Sequence, residues 1–348
     1  MNNQTVKEKP DGLSVVICCH NSASRLPRTL SHLLNQNLPD SCQWEVLVID
    51  NASTDDTAEA ARQYWPHANP ISLRVVEETK VGLANARIRG IHEARYEIIV
   101  FVDDDNWLEA SYLSIAYSIM SEHPDVGACG GLGSASFEEL EPDWFGQFQS
   151  TYAVGPQGAK AGEVDISRGY LFGAGLTLRR SQLLCMLTNG FQFLNIGRSG
   201  KHLGAGDDTE ICFALGLSGW KLWYDPAMRF EHFMPANRMS IAHLHQTHSG
   251  FGTSAPILDA YRVLLNKKLR FRRIRQHWIG ATLYYVMVFL INILVAIPLQ
   301  LTPKRLAIRL TLASHYSRIL RIIVLKKHYN HIVDGLRKAP WRKSCAPT

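Results

Sequence analysis

Three consecutive carboxylates, Asp103, Asp104 and Asp105, stand at the end of the apolar run EIIVFV. Adjacent carboxylates repel one another, and a divalent cation would offset that repulsion. Mn²⁺ and Mg²⁺ prefer oxygen ligands and commonly bridge carboxylates to phosphates. The motif therefore predicts a Mn²⁺ or Mg²⁺ site, although an acidic loop that caps a helix beginning near Trp107 would also explain it.

Asp50, Lys80 and Arg87 have the chemistry to hold a nucleotide. Asp50 ends the apolar run WEVLVID and could accept hydrogen bonds from a base or ribose, or it could belong to a turn and helix cap. Lys80 and Arg87 flank Gly82, which permits a tight entry into a helix whose N-terminus attracts phosphate. The alternative for these two cations is a solvent-exposed helix face.

Asp207, Asp208 and His232 could supply a base and a metal ligand. The two aspartates lie in GAGDDTE, residues 204–210, which opens a short amphipathic helix. Either carboxylate could act as a general base if it reaches an acceptor hydroxyl, or it could cap the helix. His232 could complete a metal shell with Asp105, although a single histidine is commonly structural.

The elements that must position these residues alternate between strands and helices. Short β-branched apolar runs suit strands that a parallel sheet buries on both faces. Such runs occupy residues 13–19, 44–50, 73–77 and 97–103. Helices are predicted over the leucine stripe of 26–34, from a capping box at Ser53, over 82–94 and over about 209–218. This alternation indicates a doubly wound α/β fold, in which ligands bind at the carboxyl ends of the strands.

The charge of the chain is distributed unevenly. The 348 residues carry a net charge of +6, but residues 262–343 hold 18 lysines and arginines and one acid, Asp334. Within this basic part, the 24 residues 278–301 have no charged side chain and are long enough to cross a bilayer. An uncharged run between basic clusters favours a membrane surface as the partner, and no nucleic acid is expected.

The compartment and topology are predicted from the flanks of this run, the cysteines and the N-terminus. Because both flanks are basic, the positive-inside rule gives no orientation, and we expect a re-entrant or interfacial attachment in preference to a full span. A helix buried in an oligomer is the remaining alternative. The seven cysteines are odd in number and are expected to be reduced thiols, and residues 1–12 lack the apolar core of a signal peptide. These features predict a protein at the cytoplasmic face of a membrane.

In their order and placement, these motifs resemble family 2 glycosyltransferases of the GT-A fold over roughly residues 13–238. The matching segments are VVICCHNSASRL, EVLVIDNASTDDT, KVGLANARIRG, FVDDDN, RGYLFGAGLTLRR, GDDTEICFALGLSGW and EHFMPANR. The resemblance implies an α/β, Rossmann-like fold of the nucleotide-diphospho-sugar transferase type, followed by a helical, membrane-associated C-terminal region. We place the catalytic domain at residues 1–260 and the basic region at 261–348, with 278–301 as its hydrophobic segment.

The resemblance also implies a role for each candidate residue. Donor nucleotide-sugar binding is assigned to His20, Asn21, Asp50, Lys80, Arg87, Asp103 and Asp104. Among these, Asp50 matches the contact to the base and Arg87 the residue near the diphosphate. The metal is assigned to Asp105, Asp103 and His232. Asp208 matches the catalytic base, Asp207 is its neighbour in the acidic pair, and Gly173 and Arg238 are assigned to the acceptor.

The chain departs from the family pattern at several positions. Ile88 stands in place of the asparagine of the A-R-N segment, and Asp207 stands in place of the usual glutamate. The proline that usually follows the first strand is replaced in the region of Cys18 and Cys19. The Q-x-x-R-W motif of processive synthases does not follow Asp208, which favours transfer of one sugar per encounter.

The predicted reaction is the inverting, metal-dependent transfer of one sugar from a nucleotide-diphosphate sugar to a hydroxyl. By the resemblance, the donor is a UDP-sugar and the acceptor a glycan or lipid-linked glycan in cell-surface polysaccharide or glycolipid synthesis. Two alternatives stay open. A sugar-phosphate nucleotidyltransferase would carry a glycine-rich basic loop after the first strand, where this chain reads HNSASRL. An inactive nucleotide-binding protein would have no need of the carboxylates at Asp103, Asp105 and Asp208.

Overall fold

The computed structural model describes residues 12–66, 68–195, 198–199, 202–203, 206–299 and 304–347. Three features of the sequence extend beyond these ranges. They are the polar N-terminal segment, the glycine and alanine at 204–205, and the last two positions of the hydrophobic segment, 300–301. The predictions for those positions lie outside the described residues.

A mixed β-sheet forms the centre of the fold. The strands are β1 Gly12–Cys19, β2 Gln43–Asp50, β3 Ser72–Glu77, β4 Ile98–Val102, β5 Asn106–Leu108, β6 Val126–Phe137, β7 Gly162–Glu163, β8 Thr177–Arg179, β9 Arg198–Ser199, β10 His202–Leu203 and β11 Lys221–Met234. The order across the sheet is β3–β2–β1–β4–β8–β6–β11–β5, with β7 paired to β11, while β9 and β10 pair separately. β1 to β4 are parallel, β8 is antiparallel to β4 and β6, β11 is parallel to β6, and β5 is antiparallel to β11.

The four predicted strands are confirmed, each with ends within one residue of the expected position. Their side chains alternate between two buried clusters. Val16 of β1 and Ile99 of β4 belong to one cluster, and Val15 and Val100 belong to the other. Because both faces are covered, these strands are apolar throughout. The predicted parallel arrangement holds for β1–β4, and the antiparallel strands beyond β4 make the whole sheet mixed.

Helices cover both faces of the sheet and build the C-terminal part of the chain. They are α1 Leu26–Leu34, α2 Thr57–Tyr64, α3 Leu83–Glu93, α4 Tyr112–Glu122, α5 Phe145–Phe148, α6 Arg180–Thr188, α7 Asp207–Leu217, α8 Ile241–Leu265, α9 Trp278–Leu299, α10 Arg305–Leu325, α11 Lys327–Lys338 and α12 Trp341–Ser344. Short 3₁₀ helices lie at Gln149–Tyr152, Ala236–Arg238 and Ile274–Gln276. The helices predicted over the leucine stripe, after Gly82 and after Asp208 are confirmed as α1, α3 and α7.

Two local expectations are wrong. The helix expected from Ser53 begins at Thr57, because the Ser53 hydroxyl accepts a hydrogen bond from the Asn21 N–H (3.0 Å) and does not cap a helix. Trp107 lies in strand β5, and the following helix begins at Tyr112. A helix cap therefore does not explain the three carboxylates before Trp107.

α8 joins the C-terminal helices to the α/β core. It packs on α7 and on α10, and the domain boundary expected at residue 260 falls inside it. The buried Asp259 of α8 accepts hydrogen bonds from Tyr285 of α9 (2.6 Å), from Arg275 (3.1 Å) and from Arg262 (3.2 Å). One carboxylate thereby ties α8 to α9 and to the 3₁₀ turn before α9, so the basic region packs onto the core.

The C-terminal end of the chain corrects the expectation that all cysteines are reduced. Cys185 of α6 and Cys345 form a disulfide with Cα atoms 5.9 Å apart, and the other five cysteines are free thiols. Trp341 packs on Phe191 with ring centroids 5.7 Å apart, and the Trp220 indole N–H donates to the carbonyl of Cys345 (2.7 Å). A pairing across 160 residues depends on this tertiary packing and cannot be seen in the cysteine spacing.

Candidate active site

A cavity of about 760 Å³ opens at the carboxyl ends of β1 and β4. Most of the predicted site residues line it: His20, Arg87, Asp103, Asp104, Asp105, Gly173, Asp207, Asp208, His232 and Arg238. Among the described residues, Asn21, Asp50 and Lys80 stand outside this lining. The fold thus gathers into one cavity acidic and basic side chains that are far apart in the sequence.

The carboxylates at the end of β4 have different partners. Asp104 binds Arg25, with Oδ2 2.6 Å from Nη2, whereas Asp105 binds His232 (3.3 Å) and Arg238 (2.8 Å). Burial acts to raise the pKa of Asp105, but His232 and Arg238 outweigh it and hold that pKa well below its usual range. Burial and, to a lesser extent, repulsion from Asp105 raise the pKa of Asp104, although Arg25 acts to lower it.

His232 is oriented by the backbone. Its Nδ1 lies 2.7 Å from the carbonyl oxygen of Tyr152, and a carbonyl can only accept, so Nδ1 carries a proton. Nε2 then faces Oδ1 of Asp105 at 3.3 Å. Either a second proton on Nε2 or a cation bound by Nε2 and the carboxylate satisfies this pair. Burial acts to lower the pKa of His232, but Asp105 outweighs it and raises that pKa.

Asp207 is engaged in a buried ion pair. Its carboxylate binds the guanidinium of Arg87, which projects from α3, and both side chains are almost fully buried. The guanidinium also lies 5.4 Å from the ring centroid of Phe101. Burial acts to lower the pKa of Arg87, but Asp207 and then Asp208 raise it above its ordinary value. Arg87 is therefore a fixed cation in the cavity wall.

Asp208 has different partners from its neighbour. Its Oδ1 accepts a hydrogen bond from the Thr209 N–H (2.7 Å), and the Gly173 N–H also donates to the carboxylate. Burial and, to a lesser extent, repulsion from Asp207 raise the pKa of Asp208, although Arg87 acts to lower it. A Cβ at position 173 would lie 3.0 Å from Oδ2 of Asp208, so glycine keeps space open beside this carboxylate. A carboxylate with a raised pKa is a stronger base, which suits proton abstraction.

Asn21 and Asp50 organise the loops after β1 and β2. The Asn21 side-chain oxygen accepts from the Thr54 N–H (2.8 Å), and Asn21 has a φ of +52°, in the left-handed region. Oδ1 of Asp50 accepts from the Ser53 N–H (3.1 Å). Both residues were predicted to bind the donor nucleotide-sugar, and in this structure both shape the loops beside the cavity.

Asn51 is a cavity residue to which sequence reasoning assigned no role. Its side-chain oxygen accepts from the Gly82 N–H (2.8 Å), and its amide donates to the carbonyls of Glu78 (3.0 Å) and Lys80 (2.8 Å). Its own carbonyl lies 2.8 Å from Nδ1 of His20. Gly82 has a φ of +130°, which a side chain would disfavour. Asn51 thereby fixes the loop that carries Lys80 and the N-terminus of α3.

One face of α8 forms a wall of the cavity that the sequence did not reveal. The cavity-lining residues of α8 recur at helical spacing: His243, Thr247, His248, Phe251, Ser254, Ala255, Leu258 and Arg262. This period is a signal that could have found the wall. Pro256 lies inside the helix and interrupts the pattern from which a helix is predicted. Arg318 of α10 and Arg25, the partner of Asp104, also line the cavity.

Comparison with known proteins finds a matching family model and several relatives of this chain. A family model described as Glycosyl transferase family 2 matches residues 14–184. A cholesterol galactosyltransferase of Borreliella burgdorferi is 33% identical over 107 residues, which are 30% of this chain and 28% of that protein. The succinoglycan biosynthesis protein ExoM of Rhizobium meliloti is 25% identical over 230 residues, which are 65% of this chain and 68% of that protein. The chain therefore spans well under two thirds of the length of the galactosyltransferase.

The fold is also found in a solved structure. The mannosyltransferase PcManGT from Pyrobaculum calidifontis, in complex with GDP-Man and Mn²⁺, superposes with a TM-score of 0.53 at 20% identity. The superposition covers 90% of this chain and 86% of that protein. At this identity the likeness concerns the fold alone, and it confirms a GT-A-like α/β core with a mixed sheet and C-terminal helices.

Proposed function

Since the chain belongs to glycosyl transferase family 2, we propose that it uses a nucleotide-sugar donor and transfers one sugar from a UDP-sugar with inversion at the anomeric carbon. The acceptor is a hydroxyl of a glycan or lipid-linked glycan. The observation that carries this proposal is Asp208, which lines the cavity, has a raised pKa and stands beside the space that Gly173 keeps open.

Asp208 acts as the general base in the proposed reaction. It takes the proton of the acceptor hydroxyl while that oxygen bonds to the anomeric carbon. The bond between the same carbon and the diphosphate oxygen breaks, and the nucleotide diphosphate leaves with the bonding electrons. A single displacement inverts the carbon. A positioned base contributes about 10²–10⁴-fold, and Arg87 offsets negative charge on the leaving group.

Asp105 and His232 fit a divalent cation such as Mn²⁺ or Mg²⁺. His232 donates its Nδ1–H to a backbone carbonyl, as metal-ligating histidines commonly do, and presents Nε2 beside Asp105. In the described part of the chain, no three His, Cys, Asp or Glu side chains form a metal cluster on their own. A site with only one or two carboxylates suits Mg²⁺-like ions, which often complete their coordination shell with phosphates and water. Asp103 is the second carboxylate of the proposed site, and the bound cation would neutralise charge on the diphosphate.

The proposed setting is cell-surface polysaccharide or glycolipid synthesis. Two relatives support it by their names, one a succinoglycan biosynthesis protein and the other a cholesterol galactosyltransferase. These acceptors belong to those proteins, and this chain shares only part of its length with them. They support an acceptor that is a growing glycan or a lipid.

We further propose that the enzyme works at the cytoplasmic face of a membrane. α9 contains the segment Trp278–Pro298, which is long and apolar enough to cross a membrane, and most of its side chains are not buried. Leu283, Leu290 and Leu294 are among its exposed side chains. The basic residues on both sides suit an anionic leaflet, and because both flanks are basic we favour attachment within the interface over a full span.

A donor screen tests the proposed function. Purified protein is incubated with UDP- and GDP-sugars, Mn²⁺ and candidate glycan acceptors, and the released nucleotide diphosphate is measured. We expect UDP release with one UDP-sugar, and loss of that release in Asp208→Asn. Formation of inorganic diphosphate from a nucleoside triphosphate and a sugar phosphate would instead identify a nucleotidyltransferase and contradict the proposal.

A further inference from the structure

One end of the cavity carries a surplus of positive charge. Arg262 of α8 and Arg318 of α10 both line the cavity. Arg262 and Arg275 donate to the buried Asp259 (3.2 and 3.1 Å). Burial acts to raise the pKa of Asp259, but Arg318, then Arg275 and Arg262, outweigh it. Two guanidinium groups thus bind one carboxylate and a third, that of Arg318, acts on it by its charge, so the cluster has unbalanced positive charge.

The two cavity-lining arginines also have unsatisfied donors. Nε of Arg262 and Nε of Arg318 are buried and have no hydrogen-bond partner among the residues that the structure describes. Arg262 lies 5.3 Å from the ring centroid of Phe213, and Arg318 lies 5.3 Å from that of Tyr285. A buried donor without an acceptor is destabilising, and more so when it is charged. A phosphate in the cavity could accept from guanidinium N–H groups, whose geometry suits it, and would balance the excess positive charge.

Arg262 lies on the part of α8 that follows its contact with the residue before the acidic pair. Leu258 packs on the residue immediately before the acidic pair, since a Cβ at Gly206 would lie 3.0 Å from Cδ1 of Leu258. Arg262 follows one turn later on the same helix, a rise of about 6 Å. The proposed metal ligand Asp105 contacts Arg238, which precedes the start of α8. A phosphate held by Arg262 would therefore lie about one helical turn beyond the contact with Gly206, at the opposite end of the cavity-lining face of α8 from Arg238.

We propose that Arg262 and Arg318 bind a phosphate or diphosphate group of the acceptor, and that the acceptor is a sugar carried on a lipid phosphate. This inference rests on the proposed transferase function. The same helix that places Arg318 in the cavity exposes Leu320, Ile323 and Val324, the last of them 70% exposed. An acceptor with its phosphate on Arg318 would thus have its lipid chain close to an apolar surface, next to the exposed side chains of α9.

The test uses the full chain in detergent micelles with UDP and Mn²⁺ at saturating concentration, so that the donor site is filled. The probe is farnesyl diphosphate, and its affinity is measured by calorimetry. Arg262→Gln and Arg318→Gln should each weaken binding about tenfold to hundredfold, as expected for the loss of a charge-assisted hydrogen bond. Arg318→Lys, which keeps the charge, should weaken it less. Arg309→Gln changes an exposed arginine of the same helix and should bind like the unmodified chain.

Several results would overturn the inference. Equal affinity in all variants would show that the arginines do not bind the phosphate. A parallel loss of UDP affinity in Arg318→Gln would assign this guanidinium to the donor. Inorganic diphosphate that binds as tightly as farnesyl diphosphate would contradict the lipid carrier. UDP binding without farnesyl diphosphate binding would refute this inference alone, whereas failure to bind UDP would refute the proposed function on which it rests.

Discussion

The carboxylate of Asp207 forms a buried ion pair with the guanidinium of Arg87, a residue 120 positions earlier in the chain. The pair connects the first turn of α7 to α3 at the wall of the cavity. Asp208, the next residue, instead accepts from the backbone N–H groups of Thr209 and Gly173. Two adjacent aspartates therefore have separate tasks: Asp207 holds a cation in place, and Asp208 is available as a base.

Asp207→Asn should destabilise the fold. The change leaves Arg87 buried beside a neutral amide, and breaking a buried ion pair costs about 3–5 kcal/mol. Because the amide oxygen still accepts a hydrogen bond, we expect the free energy of unfolding in urea to fall by about 3 kcal/mol. Asp208→Asn is the matched control, and it should cost much less because it removes a like charge next to Asp207. Equal stability of the two variants would contradict the separate roles of Asp207 as the partner of Arg87 and Asp208 as the base.

On acidification, the rate of transfer should begin to fall at a higher pH than it would if the base were an aspartate with an ordinary pKa. Asp208 must be ionised to accept a proton, and its burial and the charge of Asp207 raise its pKa. As pH falls through that raised pKa the base is lost, so the acid limb of kcat/KM should lie above the ordinary aspartate value of about 3.9. The measurement is a pH profile of UDP release with saturating Mn²⁺. An acid limb at or below the ordinary value would argue against Asp208 as the base.

The strands and the carboxylate motif could be predicted from the sequence because they are local features. A β-branched apolar run such as that of β4 predicts a buried strand, and the strand end predicts where Asp103 and Asp105 lie. The different partners of Asp207 and Asp208 could not be predicted. They depend on Arg87, which the fold brings in from α3, and the two side chains are chemically identical in the sequence.

Metal binding should depend on Asp105 more than on His232. With UDP present, Asp105→Ala should abolish Mn²⁺ binding measured by electron paramagnetic resonance. His232→Ala should weaken it less, because Asp105, Asp103 and the diphosphate remain to bind the ion. Asp104→Asn is the control, since Asp104 is bound by Arg25, and it should keep Mn²⁺ affinity. Turnover that continues undiminished in excess chelator would contradict a metal-dependent reaction.

The exposed apolar face of α9 should bind anionic lipid. We expect the full chain to float with vesicles that contain phosphatidylserine, and the double change Leu290→Gln and Leu294→Gln to reduce flotation, because it removes apolar area from the lipid-facing side. Leu140→Gln removes an equally apolar side chain, 93% exposed, from the catalytic part and serves as the control. Release of the bound protein at high salt indicates interfacial attachment, whereas retention in alkaline carbonate would contradict it and indicate a full span.

Several parts of the site lay beyond sequence reasoning because they depend on long-range packing. Asn51 acts through hydrogen bonds to the loop before α3, and nothing in its local sequence distinguishes it from a turn residue. The arginine cluster around Asp259 combines residues of α8, of the turn before α9 and of α10. Basic residues in this region predict an anionic partner, but only the fold shows that Arg262 and Arg318 face the cavity while others face outward.

The central claim, that Asp208 is the base of a single-displacement sugar transfer, is tested most directly by the kcat of Asp208→Asn beside that of Asp207→Asn. The amide keeps the shape and hydrogen bonding of the carboxylate but removes its basicity. We predict that Asp208→Asn lowers kcat by a factor on the order of 10²–10⁴ with UDP affinity nearly unchanged, and that Asp207→Asn has a smaller effect on kcat. If Asp208→Asn retains nearly full kcat while Asp207→Asn is inactive, the base is Asp207. If both variants are active, the base lies elsewhere and the account is wrong.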